Sequence, residues 1–375
     1  MNKIPFIDLK TQRIHLKGSI EAAVEKVIEH GQYIMGPEVR QFELALERYT
    51  NAEHVISCAN GTDALSLALM ALDIQPNDVV FVPNFTFAAT AEAVALLGAI
   101  PYFVDVNEET FLIDFASLES SIYDAKRNGH SIKGIIAVDL FGAIPDYDKL
   151  TSIAKENNLF VIADAAQSIG ATYGNRQVGT LAEITTTSFF PSKPLGAYGD
   201  GGAVITNNTE LADKIKSLRI HGKGIDKYDN VRVGMNSRLD TIQAAILLEK
   251  INILSDEIFA RQKIASTYSA VLPESLIKQK IHSTSQPAWA QYTVHCTKRE
   301  IIREKLINQG IPTAIYYPTP LNELKAYQTY PSAPEGLQNS RLLSSRVFSL
   351  PMSPYLTEAD QNYICATIEK ILKRQ

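Results

Sequence analysis

The chain has 375 residues, 45% of them hydrophobic and 21% charged, with a net charge of −5, the make-up of a soluble globular protein of two or three domain-sized units. No block of Lys and Arg is present to neutralise a phosphate backbone, which excludes a nucleic-acid surface. No apolar run approaches the roughly 18 residues of a spanning helix, and the N-terminal stretch lacks the apolar core of a signal peptide; with three scattered cysteines and seven histidines without ligand spacing, the expectation is a cytoplasmic, metal-free chain.

In chain order, Ile20, Val24, Val27 and Ile28 fall on one helical face over 17–31, and Gly31 stops that helix. Pro37 opens a second helix that runs through Tyr49. His54-Val-Ile-Ser-Cys58 reads as a strand, and Asn60-Gly-Thr-Asp-Ala64 leads into a buried helix bearing Leu65, Leu67, Leu69 and Met70. A strand, a Gly-Thr pair and a helix start make an anion cradle, because free N–H groups meet the positive end of the helix dipole there. Strands follow at Val79–Val82, Tyr102–Asp105, Gly134–Asp139, Phe160–Asp164, Thr185–Phe190 and Ala203–Thr206, with helices over 86–98 and 146–157. These strands are apolar runs rather than alternating ones, as in a parallel sheet covered by helices on both faces. The expected fold class is α/β, with a mainly parallel seven-stranded sheet in a large domain. One long helix, from Leu239 to about Leu272, is expected to carry the chain out of it. Beyond come a strand at 289–296, a helix at 298–309, a strand at 312–317, a Pro-rich loop and a helix at 357–373. That pattern is a smaller α+β C-terminal domain, and the expected division is 1–245 and 246–375.

One stretch concentrates chemistry: Thr187-Ser-Phe-Phe-Pro-Ser-Lys193-Pro-Leu-Gly-Ala-Tyr-Gly-Asp-Gly-Gly202. A lone lysine is ordinarily a solvated charge. Phe189, Phe190, Pro194 and Leu195 flank this one, and desolvation favours the neutral, nucleophilic amine. Asp164 ends an apolar strand, but so do Asp105 and Asp139, and any of the three fits a helix cap. Asp164-Ala-Ala-Gln167 adds a carboxylate and an amide three residues apart at the carboxyl edge of the sheet, where α/β proteins bind ligands. Taken singly, Thr62 is equally an N-cap, Phe87 a core aromatic, and Ser188 uninformative. Together, the lysine, the strand-end aspartate, the Gly-Thr helix start and the aromatic form the parts list for pyridoxal 5′-phosphate. A Rossmann oxidoreductase is disfavoured because no G-x-G-x-x-G follows the first strand.

At these residues the chain resembles the sugar aminotransferases of the DegT/DnrJ/EryC1/StrS family, members of the fold-type I pyridoxal-phosphate enzymes. The motifs are Asn60-Gly-Thr-Asp-Ala-Leu65, Asp164-Ala-Ala-Gln-Ser168, Ser188-Phe-Phe-Pro-Ser-Lys193, Gly199-Asp-Gly-Gly202 and Asn236-Ser-Arg-Leu-Asp240, in order along essentially the whole chain. The resemblance makes Lys193 the lysine that bonds the cofactor's aldehyde and Asp164 the partner of the pyridinium nitrogen. It sets Gln167 by the phenolic oxygen and Phe87 on the ring. Gly61, Thr62 and Ser188 take the phosphate, and Asn236 reaches it from the neighbouring subunit of a homodimer. Lys193 also argues against the 3-dehydratases of the family, which carry histidine there.

Further cues, among them His30-Gly-Gln-Tyr33, Arg232-Val-Gly-Met-Asn-Ser-Arg238 and Ala290-Gln-Tyr-Thr293, are similar to one subgroup of that family. Its members aminate UDP-2-acetamido-2-deoxy-3-oxo-glucuronate, with L-glutamate as donor, for O-antigen sugars. The similarity implies sugar-nucleotide contacts at Gly31, Tyr33, Ser192, Arg238, Tyr316 and Tyr317; family members carry histidine where this chain has Tyr316. A uronate carboxylate calls for a forked guanidinium. Arg238 is the candidate, with Arg232 and Arg219 behind it. A guanidinium that only braces a subunit interface is the alternative role for Arg238.

Overall fold

The structure, a computed structural model, describes residues 4–226 and 228–373. Its centre is a seven-stranded sheet built from β1 (His54–Cys58), β2 (Asp78–Pro83), β3 (Ile100–Val104), β4 (Ser131–Val138), β5 (Phe160–Asp164), β6 (Ile184–Ser188) and β7 (Gly202–Thr206), in spatial order β1-β7-β6-β5-β4-β2-β3. The pairs β2·β3, β2·β4, β4·β5 and β5·β6 are parallel, while β7 runs antiparallel to both β1 and β6. The antiparallel turn into β7 lets Gly199–Gly202 bring that strand directly back beside β6. Every residue of β2 is buried, which explains its unbroken apolar run.

Helices cover both faces. α2 (Ser19–His30), α3 (Pro37–Thr50) and α9 (Thr241–Ile251) pack together on one side, and α4 (Gly61–Ala71), α5 (Ala89–Leu96) and α8 (Thr209–Leu218) lie on the other. The remaining helices are α1 (Leu9–His15), α6 (Phe115–Arg127), α7 (Tyr147–Glu156), α10 (Leu254–Val271), α11 (Arg299–Asn308), α12 (Gln338–Arg346) and α13 (Glu358–Lys373). A second sheet joins β8 (Ile277–Lys278), β9 (Tyr292–His295) and β10 (Val347–Leu350) and packs with α10, α11 and α13 around a core of its own. Among the described residues no helix is long and apolar enough to cross a membrane.

Two expected elements are corrected. The single helix over 239–272 is two, α9 and α10, broken at Asn252–Ile253. Ile253 donates to the Lys250 carbonyl at 3.2 Å, three residues back, so the ladder tightens and restarts. The break marks a change of partner: Leu247, Ile251, Leu254 and Ile258 belong to the large core, whereas Ile264, Ala265 and Tyr268 belong to the core beside the second sheet. The strand at 312–317 is also absent, for only Ala314 pairs, as an isolated bridge to Ser349. Tyr316 and Tyr317 line one cavity together, which successive residues of a strand cannot do.

After Tyr317 the chain returns to the first sheet. Ala333 donates to the Phe103 carbonyl at 2.8 Å and Phe103 to the Pro331 carbonyl at 3.0 Å, so the edge of β3 is covered. Leu321, Tyr327, Ala333 and Leu337 share a core with Val80, Val82 and Phe103.

Candidate active site

Three aspartates stand at the carboxyl edge of the large sheet, and their partners separate their roles. Asp105, just after β3, is 6% exposed. It accepts from the Asn339 N–H at 2.9 Å, the Ser340 N–H at 2.8 Å and the Ser340 hydroxyl at 2.6 Å. It thereby caps α12, which has no capping side chain of its own. Asp139, after β4, is fully buried and accepts from the Tyr147 hydroxyl at 2.7 Å and the Ser168 hydroxyl at 2.5 Å. Burial outweighs both hydrogen bonds and pushes its pKa up to about 7. Asp164, the last residue of β5, accepts from the Thr90 hydroxyl at 3.0 Å and the Ala166 N–H at 3.3 Å. Its carboxylate lines a cavity of about 680 Å³. Burial raises its pKa, while Thr90, the nearby Lys193 charge and the Ala166 N–H pull it down.

Lys193 lines the same cavity. β6 ends at Ser188 and the chain folds into a closed turn, with Lys193 N–H donating to the Phe190 carbonyl at 2.9 Å and Ala197 N–H to the Phe189 carbonyl at 2.7 Å. Gly196 is needed in it, because a Cβ there would stand 2.4 Å from the Pro191 carbonyl oxygen. Loss of water around the Lys193 amine lowers its pKa, and the Asp164 carboxylate acts in the opposite direction.

α4 opens onto the cavity. Asn60 caps it by accepting from the Asp63 N–H at 2.8 Å, which leaves the N–H groups of Gly61 and Thr62 for a ligand. A Cβ on Gly61 would lie 2.7 Å from Cβ of Ser188, so glycine lets the helix start and the Ser188 hydroxyl share one corner. Phe87 is 56% exposed, with its ring 5.9 Å from that of Tyr317. Gln167 accepts from the Phe141 N–H at 2.5 Å and donates to the Tyr317 hydroxyl at 3.5 Å. The arrangement can take an anion at the helix start, a flat ring beside Phe87, a ring cation against Asp164 and a carbonyl at Lys193.

The expected residues divide into two groups. Gly61, Thr62, Phe87, Asp164, Gln167, Ser188, Ser192, Lys193, Tyr316 and Tyr317 line the one cavity. Gly31, Tyr33, Asn236 and Arg238 do not. They belong to a separate strip, in which Thr241 N–H donates to the Tyr33 carbonyl at 3.0 Å and Ile34 bridges Asp240. Tyr33 is 48% exposed, and Asn236 is exposed too. Arg219 drops out as a carboxylate binder: its guanidinium is buried and donates to Glu43 at 2.7 Å and to the Ser57 carbonyl at 2.6 Å. Sequence reasoning missed Thr90, whose bond to Asp164 spans 74 residues and leaves no local signal. It also gave no role to Asp200 or Gln291, which complete the cavity wall.

The family model for the DegT/DnrJ/EryC1/StrS aminotransferase family matches residues 15–369. The chain belongs to that family. It is 45% identical, over 97% of its length and 99% of the relative's, to the UDP-2-acetamido-2-deoxy-3-oxo-D-glucuronate aminotransferase of Pseudomonas aeruginosa. Among solved structures, a DegT DnrJ EryC1 StrS aminotransferase from Brucella abortus superposes with a TM-score of 0.97 at 49% identity, covering 98% of this chain and 99% of that one. NtdA from Bacillus subtilis, solved with bound cofactor PMP, gives a TM-score of 0.88 at 31% identity, covering 100% and 86%. The α/β architecture expected from the sequence is that of these aminotransferases. In an aminotransferase, a half-buried lysine, a buried carboxylate and a helix-start anion site in one cavity are the groups that the chemistry requires.

Proposed function

We propose that this aminotransferase moves an amino group from L-glutamate to the C3 ketone of UDP-2-acetamido-2-deoxy-3-oxo-D-glucuronate, with pyridoxal 5′-phosphate as its cofactor. One observation carries the reading: a single cavity gathers the Lys193 amine, the Asp164 carboxylate, the open N-terminus of α4 and the Phe87 ring. The residues fit the cofactor. The corner between Gly61 and Ser188 has no room for a Cβ, and the raised pKa of the buried Asp164 carboxyl calls for a cationic partner.

Bound there, pyridoxal 5′-phosphate supplies a carbonyl that bonds an amine and a protonated ring that draws electrons. Asp164 keeps the ring nitrogen protonated, and Thr90 holds the carboxylate in place. Gly61, Thr62 and Ser188 hold the phosphate, Gln167 takes the phenolic oxygen, and Phe87 covers the ring. Lys193 removes the Cα proton of glutamate and in the second half-reaction returns one at C3 of the sugar. Burial lowers its pKa and so favours the neutral amine, the form that accepts that proton.

The homodimer is part of the proposal. A second copy contributes Gly31, Tyr33, Asn236 and Arg238, the expected residues that stand outside their own cavity, and Arg238 pairs with the uronate carboxylate. The exposed apolar side chains of Tyr33, Ile34 and Met35 on that strip support such a contact. Ser192, Tyr316 and Tyr317 face the sugar nucleotide. The 45% identical relative supports the uronate, and the product would serve O-antigen or other cell-surface polysaccharide synthesis in the cytoplasm. The alternatives are another 3-keto or 4-keto nucleotide sugar and, in a different class, a regulatory protein that binds the cofactor without turnover.

Purified protein is expected to be yellow, with the colour lost in Lys193→Ala; a colourless wild type that ignores added pyridoxal phosphate ends the enzyme reading. Glutamate with a panel of 3-keto and 4-keto UDP-sugars, followed by 2-oxoglutarate release, tests the sugar. Turnover of the 3-oxo-glucuronate with parallel double-reciprocal lines supports the proposal. Turnover of neutral 4-keto sugars alone refutes both the uronate and the role of Arg238.

A further inference from the structure

The Lys193 turn is held from beneath by a second lysine. Lys250, near the end of α9, is 2% exposed. Its ammonium donates to the carbonyl of Gly196 and lies 4.7 Å from the centre of the Tyr198 ring. Two turns earlier on α9, Oε1 of Gln243 accepts from the Tyr198 N–H at 2.9 Å. The Gly196 carbonyl belongs to the segment in which Ala197 N–H closes back on Phe189, and Phe189 N–H in turn donates to Gly201 at 2.7 Å. The lysine is costly where it stands. Burial drives its pKa down to about 8 against the pull of Glu257, and methionine would fill the same space without dehydrating a charge.

We propose that Lys250 is a positioning residue for Lys193: by donating to the Gly196 carbonyl it fixes the 190–197 turn and sets the reach of the Lys193 amine into the cavity. This rests on the aminotransferase reading of Lys193. The carbonyl lies three residues from that lysine, and Gly196 has no spare room against Pro191. The turn therefore has little freedom apart from a shift of its floor, and the Lys250 bond removes that freedom.

The test uses the holoenzyme and its cofactor-free form, with Lys250→Met, Lys250→Arg and, as a destabilised control remote from the turn, Leu306→Ala. Two rates are read: colour formation when pyridoxal phosphate is added to cofactor-free protein, and loss of colour in a single turnover with L-glutamate. Lys250→Met is expected to slow both about tenfold or more, with half-saturating glutamate within about twofold of wild type. Lys250→Arg, which keeps a donor, is expected to return to within about threefold. Leu306→Ala is expected to lower the melting temperature without slowing either rate. Should Lys250→Met fail to fold, Lys250→Gln, whose amide is too short to reach Gly196, is read in the same way. Rates within twofold of wild type in the donor-less variant, or an equal slowing in Leu306→Ala, overturn the proposal and leave Lys250 a packing residue. If wild type itself takes up no cofactor, the aminotransferase reading fails first and Lys250 has no catalytic turn to position.

Discussion

Asp105 and Asp164 stand at the carboxyl edge of one sheet, with β2 and β4 between their strands, and both are less than 10% exposed. Asp105 accepts three hydrogen bonds from α12, and a fourth comes from the Val106 N–H at 2.9 Å. Its acceptor capacity is spent within the protein. Asp164 has one hydroxyl and one backbone N–H, the latter at 3.3 Å, and the rest of its carboxylate faces a cavity. A buried carboxylate with fully committed oxygens is a fastener. One with capacity left over beside a lysine is equipped for a ligand.

The largest expected effect comes from breaking the second of these. Asp164→Asn keeps the shape and both existing contacts, since the amide oxygen still accepts from Ala166 and the Thr90 hydroxyl can turn to accept from the amide nitrogen. It cannot hold a proton on a ring nitrogen. Turnover is expected to fall about 10²- to 10⁴-fold, while the melting temperature of the cofactor-free protein changes little. Equal loss of stability and activity would make Asp164 another fastener.

Asp105→Ala should give the reverse pattern. It strands the N–H groups of Asn339 and Ser340 at the start of α12 and is expected to cost about 2–3 kcal/mol in urea melts. The folded fraction should keep turnover within about threefold of wild type, because no cavity-lining residue lies on α12. A kcat loss that exceeds the loss of folded protein would show that β3 feeds the site after all.

Much of this contrast was hidden in the sequence, and for identifiable reasons. The strands were legible because both faces of β2, β5 and β7 are buried, so Val79–Val82, Phe160–Ala163 and Ala203–Ile205 are apolar without interruption. The Lys193 turn, Asp164-Ala-Ala-Gln167 and Asn60-Gly-Thr62 were legible because each is a local motif. The three strand-end aspartates were indistinguishable because their partners come from far along the chain: residue 105 meets 340, and 164 meets 90. α12 escaped notice because its buried face is Ser340, Leu343 and Ser344, which carries almost no hydrophobic period. The break between α9 and α10 has no glycine or proline to announce it. Lys250 gave no signal either, since a lysine near the end of an apolar helix reads as a solvated charge until the Gly196 carbonyl is seen above it.

Asp139 lies between the two extremes and gives the smallest, most discriminating test. Both of its oxygens are occupied, by Tyr147 and Ser168, yet these hydrogen bonds offset burial only in part, and its pKa rises from 3.8 to about 7, with Asp164 adding to the rise. The sign follows from proton binding. Between about pH 4 and 7 the folded state holds a proton that the unfolded chain has released, so this residue's contribution is full at low pH and is lost as the pH rises through 7. Asp139→Asn removes that dependence: its stability relative to wild type should improve by about 2–3 kcal/mol from pH 5 to pH 8 in urea melts. Parallel stability curves for the two proteins would mean that Asp139 is ionised throughout. In an Asp164→Asn background the neighbouring charge is gone, and the midpoint of the Asp139 component should move to lower pH. If it does not move, the two carboxylates at this edge are electrostatically independent, and Asp139 owes its raised pKa to burial alone.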